Sequence, residues 1–166
     1  MSESYVECMV ARRTKPIESF VKYVLYGLTG FAILGALFTS ILVFFIAAIA
    51  LGVGSYFFSL YTDIEYEYLY LDKEIVVDKV LKKSKRKRVA TYELEKIEIF
   101  APIKSYHLDN YKNRQAKVVD ISSGVENMPD KRYVFFYNGE QKVIIEPNEE
   151  LVKIMKNVAP RKVFSD

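Results

Sequence analysis

Six positive side chains stand within residues 82–88: Lys82, Lys83, Lys85, Arg86, Lys87 and Arg88. Charge at that density does electrostatic rather than covalent work. Held beside a bilayer, each Lys or Arg gains about 1 kcal/mol from an anionic leaflet. Held against a phosphorylated or acidic partner, the same groups make charge-assisted hydrogen bonds. The competing reading is a solvated hairpin turn that supplies topology charge and keeps a sheet edge from pairing. Nucleic acid fits poorly: no aromatic rings interleave with the charges, as a single-strand binder requires, and the net charge is only +3.

No other constellation carries a reaction. Asp120, Ser122, Ser123 and Gly124 offer hydroxyls and backbone N–H groups after a strand, but no helix follows as in a phosphate loop, so turn chemistry is the expectation. Asp109, Asp120, Glu126 and Asp130 lack a paired metal-ligand spacing. His107 sits alone in a polar loop and is read as solvated. One histidine and one cysteine make a zinc site untenable. Cys8 excludes an intramolecular disulfide and is read as an inert thiol, with juxtamembrane acylation as the alternative. The chain is therefore expected to be no enzyme and to hold no cofactor and no metal.

The elements that must position the basic cluster begin with an uncharged block, residues 23–62. As one helix it would run about 60 Å, twice the ~30 Å hydrocarbon core of a bilayer. Backbone groups in lipid must bond internally, so the block is read as two spans, about 20–38 and 41–61, joined at Thr39-Ser40. A signal peptide is excluded by size, since its apolar region covers only about 7–15 residues. A buried soluble helix pair is the remaining alternative. Arg12, Arg13, Lys15 and Lys22 precede the hairpin and Lys73, Lys79 and the 82–88 cluster follow it, so the positive-inside rule places both flanks in the cytoplasm. Tyr23, Tyr26, Tyr56 and Tyr61 suit the cytoplasmic interface. Ala32 and Ala36, with Ala48 and Gly52, suit close packing within the hairpin or in a dimer.

Residues 1–19 read as an N-terminal cytoplasmic segment, either a short interfacial helix through Tyr5, Val6, Met9 and Val10 or a frayed terminus. From residue 63 the period changes to two. Strands are expected at 64–70, 74–81, 88–94, 95–101 and 117–122, with turns at Asp72-Lys73 and at 82–85. Tyr133, Phe135 and Tyr137 alternate toward Asn138-Gly139, a type I′ hairpin signal. Asn148 caps a last helix with Leu151, Ile154, Met155 and Val158 on one face, and Pro160 ends it. About seven antiparallel strands and a C-terminal helix predict a closed or nearly closed barrel over 63–160, with a tail at 161–166.

The stretch YEYLYLDKEIVVDKVLKKSKRKRVATYELEKIEIF (66–100) resembles the opening of bacterial pleckstrin-homology-like domains. In those, strand, polar turn, strand, short turn and basic strand lead to a hydrophobic segment, here residues 92–97. The resemblance implies a seven-stranded barrel after a pair of transmembrane helices, as in small uncharacterised bacterial families. It departs from lipid-binding relatives: the last helix has no tryptophan, and Lys79 with Arg86, Lys87 and Arg88 falls at the second turn rather than the first. Their ligand site is not carried over. The expected role is a non-catalytic interaction or scaffold module, multi-pass in the cell membrane with both termini cytoplasmic. Its expected contacts are the bilayer, anionic lipid headgroups and a membrane-protein partner. The alternative is an accessory subunit of a transport or secretion complex.

Overall fold

Residues ahead of the apolar block form a strand, not a helix. Strand β1 (Val6–Ala11) pairs antiparallel with β2 (Ile64–Leu71), from Val6 opposite Tyr70 to Ala11 opposite Glu65. Val6 and Cys8 point into the core while Glu7 and Met9 point out. The apolar residues that mimic helical spacing are thus split between the two faces of a pleated strand. This corrects the expectation of an interfacial helix or a frayed end for this segment. It also removes Cys8 from acylation chemistry, because its thiol is buried and burial pushes its pKa up.

This computed structural model describes residues 5–39, 41–126 and 129–165 and divides into two units. The first comprises Met1–Arg13, Glu65–Val80 and Lys85–Asp166; the second comprises Thr14–Ile64 with Leu81–Ser84. In the second unit, α1 (Pro16–Thr39) and α2 (Leu42–Thr62) pack as a hairpin, each long and apolar enough to cross a membrane. Pro16 starts α1 where its missing N–H costs nothing, and the Glu18 carboxylate accepts from the Lys15 amide at 3.2 Å. Ala32 and Ala36 are buried, so these small residues serve the contact within the hairpin. Gly35 is required there, since a Cβ would meet the Phe44 ring at 2.6 Å. Thr29 and Ser55 hydroxyls meet at 3.2 Å across the helices while bonding back to the Leu25 and Leu51 carbonyls. Thr39 ends α1; Ser40, the other half of the expected connection, lies outside the described residues.

In the first unit, β1 and β2 join β3 (Glu74–Leu81) and β4 (Lys85–Glu93) in a sheet of order β1-β2-β3-β4. A second sheet takes β5 (Ile97–Pro102), β6 (Lys117–Asp120), β7 (Tyr133–Tyr137) and β8 (Gln141–Ile145) in the order β5-β7-β8-β6. Asn138 and Gly139 sit at φ 51° and 71°, the left-handed pair that a type I′ turn needs. The expected closed antiparallel barrel is corrected on two counts. The strands form two separate four-stranded sheets, and β6 runs parallel to β8. The β5 edge is instead covered by the chain end: Phe100 bridges Val163 in parallel, and the Phe164 amide donates to Phe100 O at 2.8 Å. Of the segment expected as a tail, 161–166, the described part is more than that, for Val163 is fully buried.

One core joins both sheets. Tyr68, Ile75 and Val77 meet Phe100, Phe135 and Val143, and α3 (Glu149–Val158) closes over them with Leu151 and Met155. The Asn148 side chain caps α3 by accepting from the Leu151 amide at 2.9 Å. Because β1 belongs to this core, Val6→Asp should put an unpaired charge among buried side chains and cost about 3 kcal/mol or more. Thermal unfolding of the full chain checks this; a change within about 0.5 kcal/mol of wild type would return the segment to a frayed terminus.

Candidate functional site: the basic β3–β4 turn

All six cations of the cluster are exposed, but the fold gives them different tasks. The expected turn at 82–85 is shorter than the sequence suggested, because β4 already begins at Lys85. Lys82 and Lys83 occupy the turn itself, both at positive φ (46° and 55°). Left-handed backbone disfavours a long L side chain and favours Asn or Gly. The lysines therefore stand where turn chemistry alone would not put them.

This turn belongs to the unit that holds the helices. The Lys82 amide donates to Asp63 O at 2.8 Å, just past the end of α2, and Lys82 Nζ lies 5.5 Å from the Tyr56 ring centroid. Beside it, Lys22 Nζ on α1 donates to both Asp63 carboxylate oxygens at 3.2 and 3.0 Å. One base of the hairpin thus gathers Lys22, Tyr56, Asp63 and Lys82. Only the aromatic residue and the cations of this set were legible from the sequence, because nothing local announces that Asp63 will return to Lys22.

The arginines are committed within the sheet. Arg88 Nε lies 3.3 Å from Asp78 Oδ1, and an Arg86 terminal nitrogen lies 3.3 Å from Glu67 Oε1. Lys83, Lys85 and Lys87 have no such partner among the described residues. The six cations therefore divide: two lie against carboxyl groups of neighbouring strands, one is seated over a ring, and three have no such contact among the described residues.

Glu67 is the group that sequence reasoning passed over. Its carboxyl is completely buried on the side of β2 away from the core, and neither oxygen has a hydrogen-bond partner of ordinary donors. Burial, then the adjacent Glu7 carboxyl, push its pKa up, while Arg86 pulls the other way. Two carboxyls can bond only when one keeps a proton. The contact with Glu67 holds Glu7 below the usual carboxylate range, and the Tyr5 hydroxyl, donating at 2.9 Å, adds to it. Of the two, Glu67 is the one whose protonated form its burial favours. A period-two strand with Glu at an outward position was readable; that a tyrosine and an arginine would fold over it was not.

The other candidates are occupied by structure. Asp120 Oδ1 accepts from the Ser122 amide and hydroxyl at 3.0 and 2.7 Å, and the Gly124 and Val125 amides are taken by Ser122 and Ser123 hydroxyls. This is the expected turn chemistry, and it leaves those amides engaged. Asp130 and Glu126 are drawn to the Arg132 guanidinium, with contacts of 2.8 and 3.2 Å. His107 is not a solvated loop side chain: it lies between the Tyr106 and Phe164 rings, at 3.9 and 3.8 Å between centroids.

The raised Glu67 pKa has a definite sign in stability. The native state holds a proton that the unfolded chain releases, so stability should fall as pH rises from the ordinary glutamate value near ~4.3 through the higher native one. Glu67→Gln keeps a donor toward Glu7 without the buried charge. It should flatten that slope and add about 1 kcal/mol at neutral pH, the scale of one buried polar group satisfied. Melting curves of both chains between acidic and neutral pH test this; a less stable variant at neutral pH would mean that the Arg86 attraction outweighs burial.

A family model described as "Bacterial PH-like domain (DUF6106)" matches residues 2–165. No curated protein and no solved structure matches the chain.

Proposed function

The chain belongs to the bacterial PH-like domain family, and we propose that it is a membrane-anchored, non-catalytic interaction module at the cytoplasmic face. In this reading α1 and α2 span the bilayer and the β3–β4 turn meets anionic lipid. The observation that carries it is the fastening of Lys82 to Asp63 and Tyr56 at one end of the apolar hairpin. A lysine pair held there reaches the headgroup level whenever the helices are in lipid. Chain continuity keeps Lys85 and Lys87 within a few residues of it.

Three further facts support the reading. Only 11% of the most apolar stretch of each helix is buried, far too little for core helices of a soluble domain. Phe31, Leu37, Phe38 and Val43 are each at least 70% exposed, which water does not tolerate as a continuous surface. Strands β1 and β2, which flank the hairpin in the chain, pair with each other. A hairpin leaving and rejoining one sheet must cross an even number of times, in keeping with the basic flanks on both sides. The absence of chemistry rests on the engagement of Asp120, Glu126, Asp130 and His107 described above.

Positive φ at Lys82 and Lys83 separates function from stability. Lys82→Asn with Lys83→Gly should relax the turn and stabilise the full chain by about 1 kcal/mol, yet weaken its contact with anionic lipid. A fluorophore on Ser84→Cys in a Cys8→Ser background reads that contact in bilayers. Quenching by headgroup-level spin-labelled lipid should be stronger with phosphatidylglycerol than with phosphatidylcholine alone, and the double substitution should abolish the difference. Equal quenching in both lipids would sink the lipid reading. Tags at the two chain ends should both be protected from impermeant reagents in intact cells; labelling of one end alone would overturn the anchored hairpin.

A further inference from the structure

The second sheet carries an aromatic ring on its outer face that a short separate segment buries. Phe136 on β7 faces away from the main core and belongs to a smaller apolar cluster with Ile99, Leu108 and Val134. The segment after β5 folds over it as a 3₁₀ helix (Tyr106–Tyr111), started by Ser105, whose hydroxyl accepts from the His107 amide at 3.3 Å. Tyr111 reaches the Phe136 ring at 4.8 Å between centroids. Between the helix and the sheet a cavity of about 380 Å³ remains, floored by Ile103, Leu108, Tyr111 and Phe136.

Its rim is cationic. Lys104 and Lys112 flank the 3₁₀ helix, and Lys142 on β8 stands directly across the ladder from Phe136. Among the described residues no carboxylate lines the cavity. The anions nearby hold these lysines loosely. Lys112 meets Asp109 at 2.6 Å with both side chains more than half exposed, an arrangement worth little in water. Lys104 lies 4.0 Å from Asp130, whose principal partner is Arg132. Lys142 has no ion pair or hydrogen bond among the described residues.

The groove between α3 and the β2–β3 turn makes the contrast. It is of similar size, but Glu95 lies in its lining, 3.8 Å from Lys73 Nζ, and the Glu95 carbonyl takes Lys162 Nζ at 2.7 Å. Its lining is therefore of mixed charge, unlike the Phe136 cavity.

We infer that the Phe136 cavity is a docking site for an acidic peptide segment carrying one bulky apolar side chain. The apolar floor accepts the side chain, in the manner of an interface anchor. The lysines, on three separate stretches of chain, meet carboxylates spaced along a backbone and speed the encounter. A small phosphate is the poorer match. It asks for converging donors such as an Arg fork, and the rim offers separated point charges. This surface goes beyond the lipid-contacting turn and does not depend on it.

Calorimetric titration of the full chain in neutral maltoside micelles tests the site with the capped peptide Glu-Asp-Phe-Glu-Asp. Binding should weaken as salt rises. It should drop at least tenfold when Phe is replaced by Ala in the peptide, and again in the variant Lys104→Glu, Lys112→Glu, Lys142→Glu. Lys104→Gln, Lys112→Gln, Lys142→Gln, which adds no repulsion, should lie between. Lys82→Asn with Lys83→Gly should bind the peptide as wild type does, so failure here is distinct from failure of the lipid reading. No binding by about 1 mM peptide overturns the inference. So does binding that survives charge reversal or loss of the Phe. A lysine-dependent preference for phosphatidylglycerol vesicles without peptide binding overturns it in favour of lipid.

Discussion

The ladder between β1 and β2 is the constraint on which the architecture turns. Ala11 and Glu65 are opposed in one sheet, yet more than fifty residues of the chain lie between them, nearly all in the two apolar helices. Pairing of these strands closes that excursion into a loop. Closing a long loop costs entropy that grows only slowly with its length, and the hairpin reduces the cost by bringing its own ends together. Strand β1 does not explain itself alone: it is too short and too exposed on one face to be stable without β2. One strand of the first sheet therefore precedes the two helices in the chain, and the other three follow them.

The charges show a second constraint. A sheet edge rich in Lys and Arg resists pairing with other chains, but six uncompensated cations would also repel one another. The fold resolves this by placing Asp78 and the buried Glu67 within reach of Arg88 and Arg86. Arginine suits that task, being weakly hydrated and permanently charged, whereas lysine suits the solvated and exchangeable contacts. The division follows residue type: the arginines are held by carboxylates of neighbouring strands, and the lysines are left at the turn and between.

Local pattern made much of this legible. Strand β3 has the bounds that its alternation gives, the Asn138-Gly139 turn has the backbone its residues demand, and α3 starts at its cap. What failed was what local pattern cannot hold. Six residues of β1 suit a helix or a strand equally until β2 supplies a partner. The parallel pairing of β6 with β8 joins segments that a sequence read in order takes for successive antiparallel strands. Val163 and Phe164 were read as tail because two apolar residues have no period, and their strand-like role exists only beside Phe100. His107 went the same way, since its ring partners come from its neighbour and from the chain end. For the candidate site, the six cations were legible as a cluster, but their division into committed and open groups needed the carboxylates of other strands.

Failure of the barrel to close has a functional side. In a closed barrel the outer face of each strand is solvated and polar. Here the second sheet stays open, and its outer face bears Phe136, Ile99 and Val134, which need a cover. The 3₁₀ helix after β5 supplies that cover, and Ile99, Val134 and Phe136 are all buried. The chain end completes the job on one side, where Phe164 stacks on His107 and packs against the same small cluster. On the other side the lysines remain, with long aliphatic stems able to shield an apolar floor while their charges stay in water. The irregular second sheet, more than the regular first one, therefore leaves a cavity with an apolar floor and a lysine rim.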